Sequence, residues 1–311
     1  MRVIFFGTSA FAVPSLEGLV AHQHAVVMCV TRPDRPRGRG LTVEPSPVKQ
    51  AAVRLGVPLA QPERPSASAS AWASLRPEIG VVAAYGQLIP RELLELPAHG
   101  VLGVHPSLLP AYRGAAPVAW AILNGETTTG VTMFRLNERL DAGDIISQRR
   151  VAIGPDERTD TLTERLARLG AEELLRVLEA IASGRATAKP QDESRASVAP
   201  KLTKAQGRID WGTSAEAVVR LVRATVPWPG AVTGWRGKPL KIWLASVGET
   251  LSTGAVPGAV AAVAPDTLTV AAGQGTVAVK EVQPPGRRRM SVKEFLAGHR
   301  VSVGEQFGGG S

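Results

Sequence analysis

A chain of 311 residues, 44% hydrophobic and 20% charged, is long enough to bury two ordinary cores and is not charged enough for disorder. It lacks any run of about eighteen apolar residues, and the opening Met1 to Gly7 is too short and too soon interrupted for a signal peptide, so an unexported, cytoplasmic protein that does not enter a membrane is expected. The net charge of +9 is concentrated at the rear: residues 201–311 carry 14 Lys or Arg against 7 Asp or Glu, while residues 1–200 are close to balance. A polyanion such as nucleic acid is the natural partner of that rear third.

The single cysteine, Cys29, excludes an internal disulfide and sits in the apolar run Val26 to Val30, where a buried strand thiol is the ordinary reading. Five histidines (His22, His24, His99, His105 and His299) have no cysteine partners and no helical His-x-x-x-His spacing, so no metal is expected.

In chain order, β-branched apolar runs alternate with helical patterns, the signature of βαβ units and a parallel sheet. Strands are predicted at Arg2 to Phe6, Ala25 to Thr31, Ile79 to Ala84, Val101 to His105, Gly130 to Leu136 and Ile145 to Val151. Helices are predicted at Pro14 to His22, Pro47 to Leu55 and Arg91 to Leu96, and a long one at Leu162 to Ile181 closes a first domain, residues 1–184. Residues 185–204 turn polar and irregular and are expected to be a linker. The rear domain, residues 205–311, has a helix near Glu216 to Ala224. Short strands follow at Leu240 to Ala245, Gly258 to Val263, Leu268 to Ala272 and Val277 to Val282, a pattern that suggests a small β-barrel ending in a frayed Gly-Gly-Gly-Ser tail.

Gly7-Thr8-Ser9 follows the first strand, but neither a dinucleotide fingerprint nor a P-loop is present, which argues against nicotinamide or nucleoside triphosphate. The run Gly100 to Pro117 places His105 and Ser107 at the carboxyl end of a predicted parallel strand, where open α/β sheets bind ligands. Leu140-Asp141-Ala142-Gly143-Asp144 puts two carboxylates on one glycine-containing loop. Taken alone, each is weak: a histidine at a strand end is more often structural, and Asp-x-Gly-Asp is a common turn.

Together these segments resemble the methionyl-tRNA formyltransferases almost from end to end. The resemblance runs through Phe6-Gly7-Thr8, the loop Pro33 to Gly40, Pro45 to Lys49, Ala84 to Pro90, Ser107 to Pro110, Arg113 to Pro117 and Leu140 to Asp144. Beyond the linker it takes in Ala199 to Thr203, Trp228-Pro229-Gly230 and Gln283 to Arg287.

The resemblance implies a Rossmann-like formyltransferase domain followed by an OB-like barrel, and transfer of formyl from 10-formyltetrahydrofolate to the methionine of initiator methionyl-tRNA. His105 is then expected to polarise the formyl oxygen, with Asp144 orienting it and taking the proton. Ser107, Leu108, Leu109 and Pro110, with Tyr85, Gly86, Gln87, Leu88, Ile89 and Pro90, are expected to wall the folate site. The family strand ends Asn-x-His, whereas this chain has Gly103-Val104-His105, so the amide that would help hold the oxyanion is absent. Losing one such donor typically costs about 10²–10³-fold in rate, and Gly103→Asn is expected to restore it.

Arg32, Arg35, Arg37 and Arg39 alternate with Pro, Gly and Asp34 on a loop that in the family wedges against the acceptor end of the tRNA, with Arg39 at the matching position. Lys204, Arg208, Lys238, Lys241, Arg287, Arg288 and Arg289 are the phosphate-binding candidates of the rear domain. A formyltransferase of small amines, or an RNA-binding protein that has lost catalysis, are the alternatives. The first leaves the basic rear domain unexplained, and the second rests on Gly103.

Overall fold

A computed structural model of the chain describes residues 1–37, 42–249 and 255–308. They form two compact units, the first of Met1–Pro117, Thr128–Ala152 and Leu162–Pro200, the second of Val118–Thr127, Ile153–Thr161 and Lys201–Ser311. The stretch expected as a linker is thus divided, with residues 185–200 in the first unit and 201–204 in the second.

The front of the chain runs β1 (Arg2–Gly7), α1 (Val13–Ala21), β2 (Ala25–Val30), β3 (Arg35–Arg37), β4 (Thr42–Glu44), α2 (Pro47–Arg54), β5 (Leu59–Ala60), α3 (Ala69–Ala73), β6 (Ile79–Ala83) and α4 (Arg91–Leu94). It continues through β7 (Val101–His105), β8 (Arg113–Gly114), α5 (Pro117–Leu123), β9 (Thr128–Arg135), β10 (Ile145–Ala152), α6 (Thr159–Ala182) and β11 (Val198–Ala199). The main sheet has the order β10-β9-β7-β6-β1-β2-β5. Its members from β5 to β7 are parallel, while β9 and β10 add antiparallel.

Val3, Ile4, Phe5 and Phe6 of β1 are all buried, as expected of a central parallel strand covered on both faces. Removing each such side chain from water contributes about 1.5–3 kcal/mol. Helix α2 starts where sequence chemistry directs: the Ser46 hydroxyl accepts from Lys49 N at 3.0 Å, and Pro47 fills the first helical position. Cys29 is fully buried in β2, and burial pushes its thiol up to about 12, so it is a packing residue.

In the rear, α7 (Ala215–Ala224) precedes β12 (Ala231–Trp235), β13 (Lys238–Val247), β14 (Val260–Ala264), β15 (Thr267–Ala271), β16 (Thr276–Gln283), β17 (Met290–Ser291) and α8 (Val292–Gly298). These strands make an antiparallel sheet in the order β12-β13-β16-β15-β14, with β17 on β16. Its two edges are bridged by the tail: Phe307 pairs with Trp235 on β12, and Gln306 pairs with Ala259 beside β14. The Gly308 N–H donates to the Gly234 carbonyl at 2.9 Å, so the tail expected to fray is tied down to that residue, and residues 309–311 lie outside the described residues. Trp211 and Trp235 are buried, the first donating its indole N–H to Thr233 at 2.9 Å, while Trp228 is half exposed.

Candidate active site

Strand β7 delivers His105 to its carboxyl end, where the ring is buried. Its Nε2 lies 2.9 Å from the Tyr112 carbonyl oxygen, which can only accept, so Nε2 carries the hydrogen and Nδ1 is left to receive one. Nδ1 faces a carboxylate oxygen at 3.7 Å, and that oxygen belongs to Asp141. Asp144, expected to orient the histidine, is exposed instead and contributes its carbonyl to the Arg135 N–H at 2.9 Å.

The reason lies in the turn. Asp141 has a positive φ of 49°, and Gly143 packs so tightly that a Cβ on it would stand 1.7 Å from the Arg135 carbonyl oxygen. The loop therefore reverses between the two carboxylates and aims only the first at β7. The same Asp141 oxygen accepts from the Gly114 N–H at 2.8 Å.

Gly103 pairs with Phe134 across β7 and β9, and the two are packed as a unit. A Cβ on Gly103 would meet the Phe134 ring at 2.2 Å and Leu136 at 2.7 Å. Phe134 stands edge-on to His105, with centroids 6.4 Å apart at 89°. A side chain at Gly103, as in the expected Gly103→Asn restoration of an oxyanion donor, would therefore require the Phe134 ring and the Leu136 methyl to shift.

Of the expected folate wall, Ser107 is fully buried, donating to the Ala111 carbonyl at 2.6 Å, while its own carbonyl accepts from Thr132. The Leu109 N–H donates to Thr132 at 3.1 Å and its carbonyl accepts from Gln148 at 2.8 Å, so the loop Ser107-Leu108-Leu109-Pro110 is pinned from behind. Tyr85 and Ile89 belong to a buried cluster with Ile4, Phe6, Val30, Trp72 and Leu93, whereas Leu88 and Gly86 are exposed and Gln87 and Pro90 half-buried. The Tyr85 hydroxyl is buried without a hydrogen-bond partner among the described residues, and burial pushes it up to about 12 against the opposing charge of Arg32.

Beside this segment a cleft of about 540 Å³ opens between Arg91, Leu94 and Glu95 of the α4 region and Leu136, Asn137, Glu138 and Arg139, which lead directly into Asp141. Sequence reading missed these lining residues. The one available signal is their position immediately before the Asp141 turn.

The basic loop is only partly described, and Arg39 and the side chain of Arg37 lie outside the described residues. Arg35 is exposed and pairs with Glu63 at 3.3 Å. Arg32 instead lies against Gly86, beside Tyr85. Asp34 anchors the base of the loop by pairing with Lys49 and accepting from Gln61 at 2.8 Å, and those hydrogen bonds hold its carboxyl below the usual range.

In the second unit Lys204, Arg208, Lys238, Arg287, Arg288 and Arg289 are exposed, Arg288 paired with Glu294 and Arg289 with Glu281. Lys241 and Arg289 flank the Trp243 ring, at 5.2 and 5.7 Å from its centroid. Among the described residues no three His, Cys, Asp or Glu side chains are grouped to hold a metal, and no helix is long and apolar enough to cross a membrane.

The formyl transferase family model matches residues 1–178, and its C-terminal domain model matches residues 201–300. The methionyl-tRNA formyltransferase of Roseiflexus castenholzii is 46% identical over 99% of both chains, and that of Solibacter usitatus is 45% identical over 100% of this chain and 99% of the other. The chain belongs to the methionyl-tRNA formyltransferases.

Its fold agrees with more distant structures. HypX from Aquifex aeolicus in complex with tetrahydrofolic acid superposes with a TM-score of 0.68 at 21% identity, over 97% of this chain and 50% of that one. An N-formyltransferase from Helicobacter canadensis reaches 0.68 at 15% identity, over 91% and 99%. In this formyltransferase, then, the parallel-rich sheet ends in His105, which the Asp141 loop faces, and residues 201–311 hold most of the excess positive charge.

Proposed function

We propose that this formyltransferase moves a formyl group from 10-formyltetrahydrofolate to the amino group of methionine on initiator tRNA, in the cytoplasm, giving the formylated initiator for translation. The observation that carries the reading is His105 held between the Tyr112 carbonyl and the Asp141 carboxylate.

The reaction forms a C–N bond from the methionyl amine to the formyl carbon, breaks the bond from that carbon to the folate nitrogen, and passes one proton from the attacking to the leaving nitrogen. His105 Nδ1 is placed to take that proton, and Asp141 stabilises the imidazolium that results. With one N–H on the Tyr112 carbonyl and the other toward Asp141, the protonated ring favours the developing oxyanion by its charge rather than by a hydrogen bond, in a strand where Gly103 offers no amide. Folate supplies the activated formyl group when bound. The cleft between Arg91 and Arg139 has a volume suited to a flat heterocycle and mixes apolar and polar lining, and the chain runs from its Arg139 into the Asp141 turn two residues on, which makes it the site we assign to the pterin.

For the tRNA, residues 205–311 form the proposed binding domain, an OB-like barrel on this reading, reached through Lys204, Arg208, Lys238, Lys241 and Arg287 to Arg289. The loop carrying Arg35, Arg37 and Arg39 is proposed to meet the acceptor end, while Arg32, packed on Gly86, serves the folate side. Folate-dependent formylation of charged initiator tRNA in vitro tests the whole reading. Turnover with methionyl-tRNA supports it, turnover only with small amines favours a small-amine formyltransferase, and tRNA binding without turnover favours an RNA-binding protein.

A further inference from the structure

The carboxylate at His105 is aimed by residues that the sequence places in an irregular polar stretch. Gln191 is buried and uses its whole carboxamide. Its Nε2 donates to the Asp141 carbonyl at 2.8 Å and to the Gly143 carbonyl at 2.7 Å, so that one amide spans the reversal of the loop. Its Oε1 accepts from Arg113 Nε at 3.1 Å and Nη2 at 2.7 Å.

Arg113 is itself buried and is clamped by Glu193, which accepts at 3.0 and 3.1 Å and also pairs with Arg139 at 2.9 Å. Hydrogen bonds from Arg113 hold the Glu193 carboxyl below the usual carboxylate range. The residues on either side of Gln191 are fixed by backbone pairing: Lys189 exchanges two hydrogen bonds with Ile145 at 2.8 Å, and the Arg113 N–H donates to the Ser197 carbonyl at 2.8 Å.

We infer that Gln191 is a positioning residue for formyl transfer, acting through Asp141, with Arg113 fixing the orientation of its amide. The inference rests on the assignment of His105 and Asp141 as the reacting pair. The chemistry favours glutamine at this place for a specific reason. The site needs two N–H donors toward carbonyls and an acceptor toward a guanidinium, and the side chain that offers both on one planar group is a carboxamide. A carboxylate would keep the arginine and turn lone pairs toward the two carbonyls.

The test is Gln191→Glu, nearly isosteric and still paired with Arg113, alone and combined with Asp141→Asn, assayed for kcat and KM on methionyl-tRNA and folate, with Gln191→Ala as a second variant and thermal unfolding of each. The expected result is a fall in kcat of about 10- to 100-fold for Gln191→Glu, the scale of a misplacement of about 1 Å, with KM for both substrates changed less than about twofold. In the Asp141→Asn background the same change should cost almost nothing more, because the two residues act as a unit. Wild-type kcat in both Gln191 variants, or losses that multiply in the double variant, overturns the inference while leaving the His105 and Asp141 site intact. An Asp141→Asn protein at wild-type rate overturns that site and the inference together.

Discussion

Asp141 Oδ2 stands 3.7 Å from His105 Nδ1 and 2.8 Å from the Gly114 N–H, whereas the Asp144 side chain is exposed. Only Ala142 and Gly143 separate the two carboxylates, and the backbone decides which of them faces the histidine.

Gly103→Asn should destabilise the protein rather than raise its rate. The new side chain enters the Phe134 ring, and overpacking of this kind costs about 1–3 kcal/mol. Urea unfolding should show the loss, and shortening Phe134 to Val in the same chain should recover part of it. A Gly103→Asn protein of unchanged stability and higher kcat would show that the ring yields freely.

Burial of Cys29 predicts alkaline sensitivity. Its thiol ionises near 9.0 when free and at about 12 in the fold, so between those limits the unfolded chain has lost a proton that the folded chain keeps. Stability therefore falls as pH rises through that window, by at most about 1.4 kcal/mol per unit. Tyr85, pushed from 10.0 to about 12, adds in the same direction. Cys29→Ala should flatten the profile partway, and an alkylating reagent at neutral pH should modify Cys29 only in denaturant. Rapid modification of the folded protein would contradict its burial.

Binding of tRNA should weaken steeply with salt, with a slope of about −0.7 to −0.9 in log K per phosphate contact. Arg287, exposed and without an ion pair among the described residues, should account for about one contact, so Arg287→Ala reduces the slope by roughly that amount. Arg32→Ala should leave the slope unchanged and raise KM for folate instead, because Arg32 lies against Gly86. The reverse pattern would place Arg32 on the tRNA.

Much of the fold was legible because its signals are local. The all-apolar run Val3 to Phe6, the Ser46-Pro47 helix start and the leucine spacing of α6 each determine an element without help from distant residues. The site was legible only to the level of the strand end and the loop. His105 follows from β7, but the choice between Asp141 and Asp144 depends on a positive φ and on a glycine pressed against Arg135, neither of which composition reveals. Gln191 and the Arg91 to Arg139 cleft were missed for the same reason. Their partners lie far along the chain, and a polar stretch such as 185–200 carries no periodicity to betray that it is fastened down.

Whether His105 and Asp141 are the reacting pair is decided by comparing kcat for folate-dependent formylation of methionyl-tRNA in Asp141→Asn and Asp144→Asn. Asp141→Asn should lose about 10²- to 10⁴-fold, the range of a lost acid–base partner, and Asp144→Asn should change by less than about threefold. A large loss at Asp144 with near-normal turnover at Asp141 would contradict that pairing.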